Sequence, residues 1–413
     1  MPERFGIVDV HVEGFRSARE ASFSPAPICA LVGEADAGKS NLLAAMRAAL
    51  DPASAPLAPG DAVEGGDGTI SIRVRLADGT EATLTGTAAD HATERSPTCS
   101  PVLFLPAVAR SSTVVAAADA HTADAGRALQ LFQDALARAA TSSAAPARAA
   151  VEALEEIVAA ELDGLVLLVE EPELYLRPQA QRYLYRLFHA FAEAGNQVVY
   201  STHSPAFLNI ARLEEIVFVE RLPEAGTRTA QPAPLTPDED FRVVTEFDAG
   251  RSEVFLAHAA VLVEGQTEKL VLPFVFAALG YDADREAISI VECGGKPNIP
   301  LFARICEAVG VPYVVVHDSD ARDGRPPIAA EQATNALIGE LVGEERRVVL
   351  DPDFEAVAGL RGHSHKPERA WRRFAELARA EIPEPLARAA ELAVSLARGE
   401  PATPPARPRP GRT

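Results

Sequence analysis

Short apolar runs separated by helical patterns dominate the first half of the chain. They predict strands at 7–12 and 28–32 and a helix that begins at Ser40. Two more short strands flank Asp78-Gly79, a dipeptide typical of hairpin turns. The other elements expected here are the hairpin strands at 69–75 and 81–84, an Ala-rich helical region over 123–162 interrupted near 142–146, a strand at 165–169, a helix over 178–194 and a strand at 197–200.

A proline-rich stretch, residues 221–240, follows this half and predicts an exposed loop. Beyond it, strands again alternate with helices, which favours an α/β fold with a parallel sheet in the second half. The elements expected there are a strand at 260–263, a helix at 267–279 and strands at 287–291, 312–317 and 347–350. We expect a first domain at 1–250, in which 51–125 hold a connector, the hairpin and a degenerate signature region, and a second domain at 251–385. Residues 386–413 are expected to form the end of a helix and a disordered Pro/Arg tail.

Composition narrows the possible classes of protein. The chain has 413 residues, 47% of them hydrophobic, and a formal net charge of −20. So acidic a chain needs a local basic patch, or metal ions held by carboxylates, to contact nucleic acid. No apolar run reaches the roughly 18 residues that span a bilayer, and the first residues lack a secretory pattern, so we expect a cytoplasmic protein without membrane contact. The four cysteines show no C-x-x-C spacing, which argues against a zinc ribbon and a disulfide scaffold.

Residues 33–40 match the phosphate-binding pattern G-x-x-x-x-G-K-[ST], between a strand and a helix as that pattern requires. The glycines Gly33 and Gly38 allow backbone N–H groups to surround phosphates at a helix N-terminus. Lys39 would supply positive charge to the β and γ phosphates, and Ser40 would be a ligand for Mg²⁺. With Asn41 beside them, these residues form a predicted P-loop that binds nucleotide.

Two other predicted strands of the same half end in residues that suit a nucleotide site. The strand at 165–169 leads into Glu170 and Glu171. We expect Glu170 to hold the metal through water and Glu171 to orient or deprotonate the attacking water. His203 follows the strand at 197–200, where it can contact the γ-phosphate.

Acidic residues also follow three predicted strands of the second half. Carboxylates at neighbouring strand ends favour a hard cation such as Mg²⁺ or Mn²⁺. Side chains at i and i+2 of an extended segment point the same way, so two carboxylates with that spacing can share a metal. The acids are, in chain order, Glu264 and Glu268, then Asp318 and Asp320, then Asp353 and Glu355.

The motifs of the first half resemble the ABC-type ATPases of the SMC and RecF kind. Residues 12–43 include a Gly-Phe-Arg-Ser turn before the P-loop, 170–178 are similar to the Walker B motif and D-loop, and 202–205 to the H-loop. The resemblance implies two subunits that enclose two nucleotides, each providing a signature loop. The signature candidate at 125–130 lacks the usual Ser-Gly core, and no Gln lies between the P-loop and that segment to serve as a Q-loop. These departures bear on ATP turnover more than on nucleotide binding.

The order of the acids in the second half resembles a Toprim domain, with Glu in a V-E-G turn, then D-x-D, then a last acid. The whole pattern resembles the overcoming-lysogenization-defect (OLD) nucleases, which join an ABC-type ATPase to a C-terminal Toprim domain. The Gly-Gly-Lys-Pro-Asn segment at 294–298 and Lys366-Pro367 are also similar to that family. The resemblance covers about residues 5–50, 160–220 and 258–370.

In such nucleases the acids hold two metal ions, which activate water and stabilise the leaving oxygen of a phosphodiester. By this resemblance Lys366 would neutralise charge in the transition state. Basic residues near it would give phosphates a binding surface on an otherwise acidic protein. The implied ligands are Glu264, Glu268, Asp318, Asp320 and Glu355, with Asp353 beside them, and the basic run is Arg361, Lys366, Arg369, Arg372 and Arg373.

The resemblance implies an ATP-regulated, metal-dependent DNA endonuclease that acts in DNA repair or anti-phage defence, with ATP and Mg²⁺ or Mn²⁺ as cofactors. It implies a homodimer or higher homo-oligomer and leaves room for a helicase or defence-system partner. A topoisomerase would need a nucleophilic Tyr on a separate strand-passage domain, and a primase of this type would need a zinc ribbon, so a nuclease is favoured. The alternative is a non-cleaving, ATP-switched DNA-binding or regulatory protein with vestigial acids.

Overall fold

The structure is a computed structural model, and it divides the chain into two compact units, Met1–Pro234 and Leu235–Thr413. In the residues that it describes, each unit has a hydrophobic core of its own. The described residues are 6–51, 57–87, 102–105, 126–128, 130, 131, 134, 146–174, 176–232, 251–321, 327–360 and 365–400.

A ten-stranded mixed sheet forms the first unit. Its strands are β1 (Ile7–Phe15), β2 (Ala18–Phe23), β3 (Ile28–Val32), β4 (Thr69–Leu76), β5 (Glu81–Thr87), β6 (Val102–Leu105), β7 (Val166–Glu170), β8 (Gln197–Thr202), β9 (Ile216–Leu222) and β10 (Gly226–Ala230). They lie in the order β5-β4-β1-β2-β10-β9-β3-β8-β7-β6. The strands from β9 to β6 are parallel, and the others extend the sheet with antiparallel pairs. The ends of β3, β8 and β7 therefore meet at one edge of the sheet.

Three helices of the first unit are α1 (Lys39–Leu50), α2 (Pro146–Ala159) and α3 (Pro178–Glu193). α1 starts directly after Gly38, whose φ of 111° lies in the region that favours glycine. Its apolar residues Leu42, Leu43 and Met46 are fully buried in the core beneath the sheet. Burying a side chain of this size contributes about 2 kcal/mol. The burial fixes α1, and with it the loop that precedes it.

The structure confirms the predicted strands and helices that lie in the described part of this unit, within one to three residues at most ends. The loop expected over 221–240 is wrong in part, because β9 continues to Leu222 and β10 occupies Gly226–Ala230. The prolines that suggested a loop lie before and after β10, while Thr227 and Thr229 within it alternate as strand residues do. The sequence analysis also missed β2, β6 and the strand character of β9 before residue 221. Most of the 88–125 segment and the residues Ala125 and Leu129 of the signature candidate lie outside the described residues.

A four-stranded, fully parallel sheet forms the second unit. Its strands are β11 (Ala259–Val263), β12 (Ile288–Glu292), β13 (Tyr313–Asp318) and β14 (Arg347–Leu350), in the order β12-β11-β13-β14. Its helices are α4 (Gln266–Leu279), α5 (Ile299–Val309), α6 (Ala329–Val342), α7 (Phe354–Val357), α8 (Lys366–Phe374) and α9 (Glu384–Ala397). The strands and the first helix confirm the sequence predictions. Parallel strands buried on both faces need helices on each side, which the chain supplies between successive strands.

The last helix of the second unit belongs to its core. Leu386, Ala389 and Ala393 of α9 are fully buried and pack in the same cluster as Val261 and Val314 of the sheet. The predicted Pro/Arg tail after it lies outside the described residues, which end at 400. In the described ranges of both units, no helix has the length and apolar character that crossing a membrane would require.

Candidate functional site

The P-loop connects β3 to α1 and encloses the Lys39 side chain, which is only 5% exposed. Its ammonium donates to the carbonyl oxygens of Gly33 at 2.8 Å and Glu34 at 2.6 Å. Burial lowers the pKa of Lys39, and the negative charges of Glu171 and Glu173 oppose that shift. A Cβ at residue 33 would lie 1.9 Å from the carbonyl oxygen of Val219, so only glycine fits there. The loop therefore holds a buried cation against its own backbone carbonyls.

Residues that the sequence analysis did not single out hold the P-loop in place. The Thr227 hydroxyl of β10 donates to the carbonyl oxygen of Ala37 at 2.8 Å, and Asn41 donates its amide to Ser17 Oγ at 2.6 Å. Ser40 is exposed in the first turn of α1, where a magnesium ligand would have to be. Thr227 escaped notice because its strand lies far along the chain from the P-loop, and Ser17 was noted only as part of the Gly-Phe-Arg-Ser turn between β1 and β2.

The sheet brings the other two nucleotide motifs of the first unit together. Glu170 is the last residue of β7, and β7 pairs with β8, which ends at Thr202. Glu171 has a φ of 44° and donates its N–H to the carbonyl oxygen of Ser201 at 3.0 Å. The carboxylate of Glu171 then lies 3.7 Å from His203 Nε2. Glu171, the predicted base, and His203, the predicted contact of the γ-phosphate, are therefore neighbours.

Glu173, which the sequence analysis gave no role, joins these two loops. Its carboxylate accepts hydrogen bonds from Thr202 Oγ1 at 3.0 Å and from the His203 N–H at 2.6 Å. Burial raises the pKa of Glu173. The geometry indicates that Glu173 sets the position of the His203 loop relative to β7.

The acids of the second unit gather at the ends of β11 and β13, which are adjacent strands. Glu264 Oε1 accepts the N–H of Asp318 at 2.7 Å, and Asp318 Oδ1 accepts the N–H of Phe354 at 2.8 Å. Burial, followed by the negative charges of Glu264 and Glu268, raises the pKa of the Asp318 carboxyl to about 8. Burial is also the largest cause that raises the pKa of Glu264 and of Glu268. These three acids, of which Glu268 is buried and the other two are half-buried, form a cluster with unfavourable mutual repulsion.

Two lysines contact this acidic cluster. Lys366, the first residue of α8, lies 2.8 Å from Glu355 Oε1. Burial alone would lower the pKa of Lys366, but its hydrogen bond to Glu355 and the charge of Glu268 raise it overall. Lys296, from the loop after β12, contacts Glu264 and Asp320. The sequence analysis noted the segment that contains Lys296 but gave this residue no role.

The two remaining candidate ligands have different surroundings. Asp320 has a φ of 60° and pairs with Lys296. Asp353 is the N-cap of α7, where its Oδ1 accepts the N–H of Ala356 at 2.8 Å. The Asp353 carboxylate is thus already engaged as the acceptor for a backbone N–H in the first turn of α7.

The donor set suits a hard cation in its chemistry, since it consists of carboxylate oxygens and backbone carbonyls. The mutually repelling acids at 264, 268 and 318 would be stabilised by such an ion. Within the described ranges, however, no group of three or more His, Cys, Asp or Glu side chains is arranged to hold one. Ligation would require the carboxylates that Lys296 and Lys366 contact to reorient.

Comparison with known proteins adds to this geometry. Residues 255–320 match the family described as "Overcoming lysogenization defect protein-like, TOPRIM domain", and residues 153–208 match an AAA ATPase domain. The chain is 37% identical over 223 residues to the OLD nuclease of Thermus scotoductus, covering 49% of this chain and 42% of that one. It is 26% identical over 162 residues to the Old nuclease of Escherichia phage P2, covering 38% and 28%. The chain thus spans less than half the length of these curated relatives.

Among solved structures, the C-terminal region of the Burkholderia pseudomallei OLD protein matches with 19% identity and a TM-score of 0.24, covering 35% of this chain and 98% of that one. The matched families lie on the motifs described above, one on the strand and loops of Glu170 and His203 and the other on the acids from Glu264 to Asp320. The chain is therefore similar to OLD nucleases over about half of its length, and a match to an ATPase domain precedes a match to an OLD-like Toprim domain.

Proposed function

We propose that this protein is an ATP-regulated, metal-dependent DNA endonuclease whose chemistry takes place at the Toprim acids. The observation that carries the proposal is the cluster of buried Glu268 with half-buried Glu264 and Asp318, in which Glu264 accepts the Asp318 N–H, with Lys366 paired to Glu355 nearby. Buried carboxylates that repel one another are stabilised by divalent cations, and a lysine beside them can neutralise a phosphate. The matched relatives are named nucleases, which supports DNA as the substrate class.

In this proposal the acids hold Mg²⁺ or Mn²⁺, two ions by the family resemblance. The bound ions would supply an activated water and charge neutralisation at the leaving oxygen. Asp318 is the central ligand, because its backbone and side chain join the ends of β11 and β14 through Glu264 and Phe354. Lys366 is oriented by Glu355 and would approach the phosphate. The other proposed ligands are Glu264, Glu268, Asp320 and Glu355, while the capping contact of Asp353 makes it a weaker candidate.

Helix α8 extends the proposed DNA surface away from Lys366. Its first turn holds that lysine, and Arg369, Arg372 and Arg373 follow on the same helix. Trp371, the chain's single tryptophan, is 47% exposed there. Basic side chains on an acidic protein concentrate phosphate binding at one place. Arg361, the first member of the predicted basic run, lies outside the described residues.

We propose that the ATPase domain regulates access to this site. Lys39, Ser40 and Glu170 would hold the nucleotide and its magnesium ion, and Glu171 and His203 would act on the γ-phosphate. By the family resemblance two chains would enclose the nucleotides, which makes a homodimer or higher homo-oligomer the proposed assembly. DNA repair or anti-phage defence, with a possible helicase or defence-system partner, is the proposed setting, in the cytoplasm.

One observation favours the second candidate function, an ATP-switched DNA-binding protein that does not cleave. Lys296 and Lys366 already contact Asp320 and Glu355, so the acids have cationic partners in the chain itself. Under that alternative the acids would be structural, and purified protein would bind DNA without nicking it in any divalent metal.

Incubation of the full-length protein with supercoiled plasmid and Mg²⁺ or Mn²⁺, with and without ATP, distinguishes the two functions. We expect metal-dependent nicking that falls by roughly two orders of magnitude or more in Asp318→Asn, which keeps the hydrogen-bond acceptor but not the charge. The matched control is Asp284→Asn, an exposed acid before β12, which should nick as the parent does. If Asp318→Asn nicks plasmid as fast as the parent, the cleavage does not come from this site.

A further inference from the structure

Lys296 is a buried cation that the proposed chemistry does not use. It lies in the loop after β12 and is 6% exposed. The preceding Gly295 has a φ of 122°, a backbone conformation that side chains rarely adopt, and this turn directs the lysine inward. So deeply buried a lysine requires partners, because an unpaired buried ammonium is costly.

The partners of Lys296 come from three other segments of the second unit. Its Nζ donates to the backbone oxygen of Asp318 at 2.5 Å, to the Asp320 carboxylate, and to Asn335 Oδ1 at 3.1 Å. Glu264 Oε1 lies 3.7 Å away. The ammonium is therefore surrounded by oxygens of two carboxylates, one carbonyl and one amide.

Those four oxygens are of the kinds that Mg²⁺ and Mn²⁺ prefer. Two of them belong to Glu264 and Asp320, acids of the proposed metal site. Lys366 instead pairs with Glu355, so the two lysines contact different acids of the site. An ammonium and a divalent ion cannot share one set of oxygens, since they would repel each other at contact distance.

We propose that Lys296 is a built-in counter-ion at the Glu264–Asp320 side of the Toprim site, and that a second divalent ion binds there only by displacing its ammonium. This inference rests on the proposed function in that the acids must bind metal. It adds that the two ions bind unequally, because the second has to compete with a cation that belongs to the chain. Lys296 is in this sense a positioning residue, which holds Asp320 and Glu264 in place until the second ion arrives.

Metal binding without DNA or nucleotide tests the inference on the full-length protein. Mn²⁺ titration by calorimetry should show one tight and one weaker step, and electron paramagnetic resonance should detect paired Mn²⁺ ions only in the weaker step. In Lys296→Met we expect the second step to tighten by at least about tenfold, because the competing charge is gone. Lys269→Met removes an exposed charge from the neighbouring helix and should leave both steps unchanged. An unchanged or weaker second step in folded Lys296→Met protein would overturn the inference.

A second measurement on the unaltered protein covers the case in which Lys296→Met does not fold. Acetic anhydride labels lysines according to their exposure, and mass spectrometry reports the labelling of Lys296 by itself. We expect its labelling to rise as Mn²⁺ fills the second step, while Lys269 labelling stays constant. Constant or reduced labelling of Lys296, or a failure to bind Mn²⁺, contradicts the inference. Plasmid nicking is scored separately, so an absence of cleavage with the expected metal binding would overturn the nuclease proposal alone.

Discussion

At the scale of single residues, Glu215 is a buried carboxyl to which neither the proposed nucleotide site nor the proposed Toprim site assigns a role. It is 6% exposed, accepts the hydroxyl of Tyr185 at 2.8 Å and lies 3.4 Å from Arg212 Nη1. His189 Nε2 lies 3.8 Å from the same carboxylate. Burial raises the pKa of Glu215 from 4.5 to about 7, more than its hydrogen bonds and Arg212 lower it.

The pH dependence of stability follows from that shift. The folded protein retains the Glu215 proton to higher pH than the unfolded chain, so this carboxyl stabilises the fold below about pH 4.5 and loses that effect as the pH rises through about 7. Glu215→Gln cannot ionise and keeps an oxygen for Tyr185. We expect the free energy of unfolding of the parent, relative to this variant, to fall between pH 5 and 8 by on the order of 3 kcal/mol. Urea unfolding of both proteins at pH 5 and pH 8 measures this difference. If the free energies of unfolding of parent and variant change equally between the two pH values, the raised pKa of Glu215 is contradicted.

Sequence patterns indicate the proposed site residues more readily than the residues that contact them. Lys39, Glu171, Glu264 and Asp318 stand in motifs or at strand ends, and the fold brings each group together as the strand order requires. Lys296 could not be assigned a role, because its partner Asn335 lies on a helix 39 residues further along the chain. Such long-range contacts depend on packing rather than on local spacing.

At the scale of secondary-structure elements, most parallel strands were predictable because apolar runs buried on both faces leave a clear signal, although the parallel β6 and β9 were missed. The antiparallel β2 and β10 were not, since they are short and half exposed and prolines flank β10. β10 nevertheless matters for the nucleotide site, because its Thr227 contacts the P-loop carbonyl of Ala37. The part of the fold that sequence analysis missed thus supports the part that it identified.

The elements of the nucleotide site should have separable effects. Lys39 lies on the loop after β3 and contacts the carbonyls that a phosphate would replace, so Lys39→Ala should abolish ATP binding in calorimetry. Glu171 lies after β7 beside His203, so Glu171→Gln should bind ATP normally but hydrolyse it more slowly, by about a hundredfold or more. Full ATP affinity in Lys39→Ala would refute the site.

At the scale of the whole molecule, the two units have separate sheets and separate hydrophobic cores. All the acids and both lysines of the proposed cleavage site come from residues 264–366, within the second unit. The nucleotide motifs come from the first unit alone. This division supports a regulatory rather than a chemical role for ATP in cleavage. The named residues of the proposed chemistry therefore all belong to the second unit.

Plasmid nicking by the isolated 251–413 fragment tests this account most directly. The fragment contains the complete second core and every proposed ligand, so it should fold and cut supercoiled plasmid weakly in Mg²⁺ or Mn²⁺ without ATP. Its Asp318→Asn form should show the same circular dichroism and no nicking above background. Nicking at equal rates by the two fragments, or none by the folded parent fragment, would contradict the claim that these acids perform the cleavage.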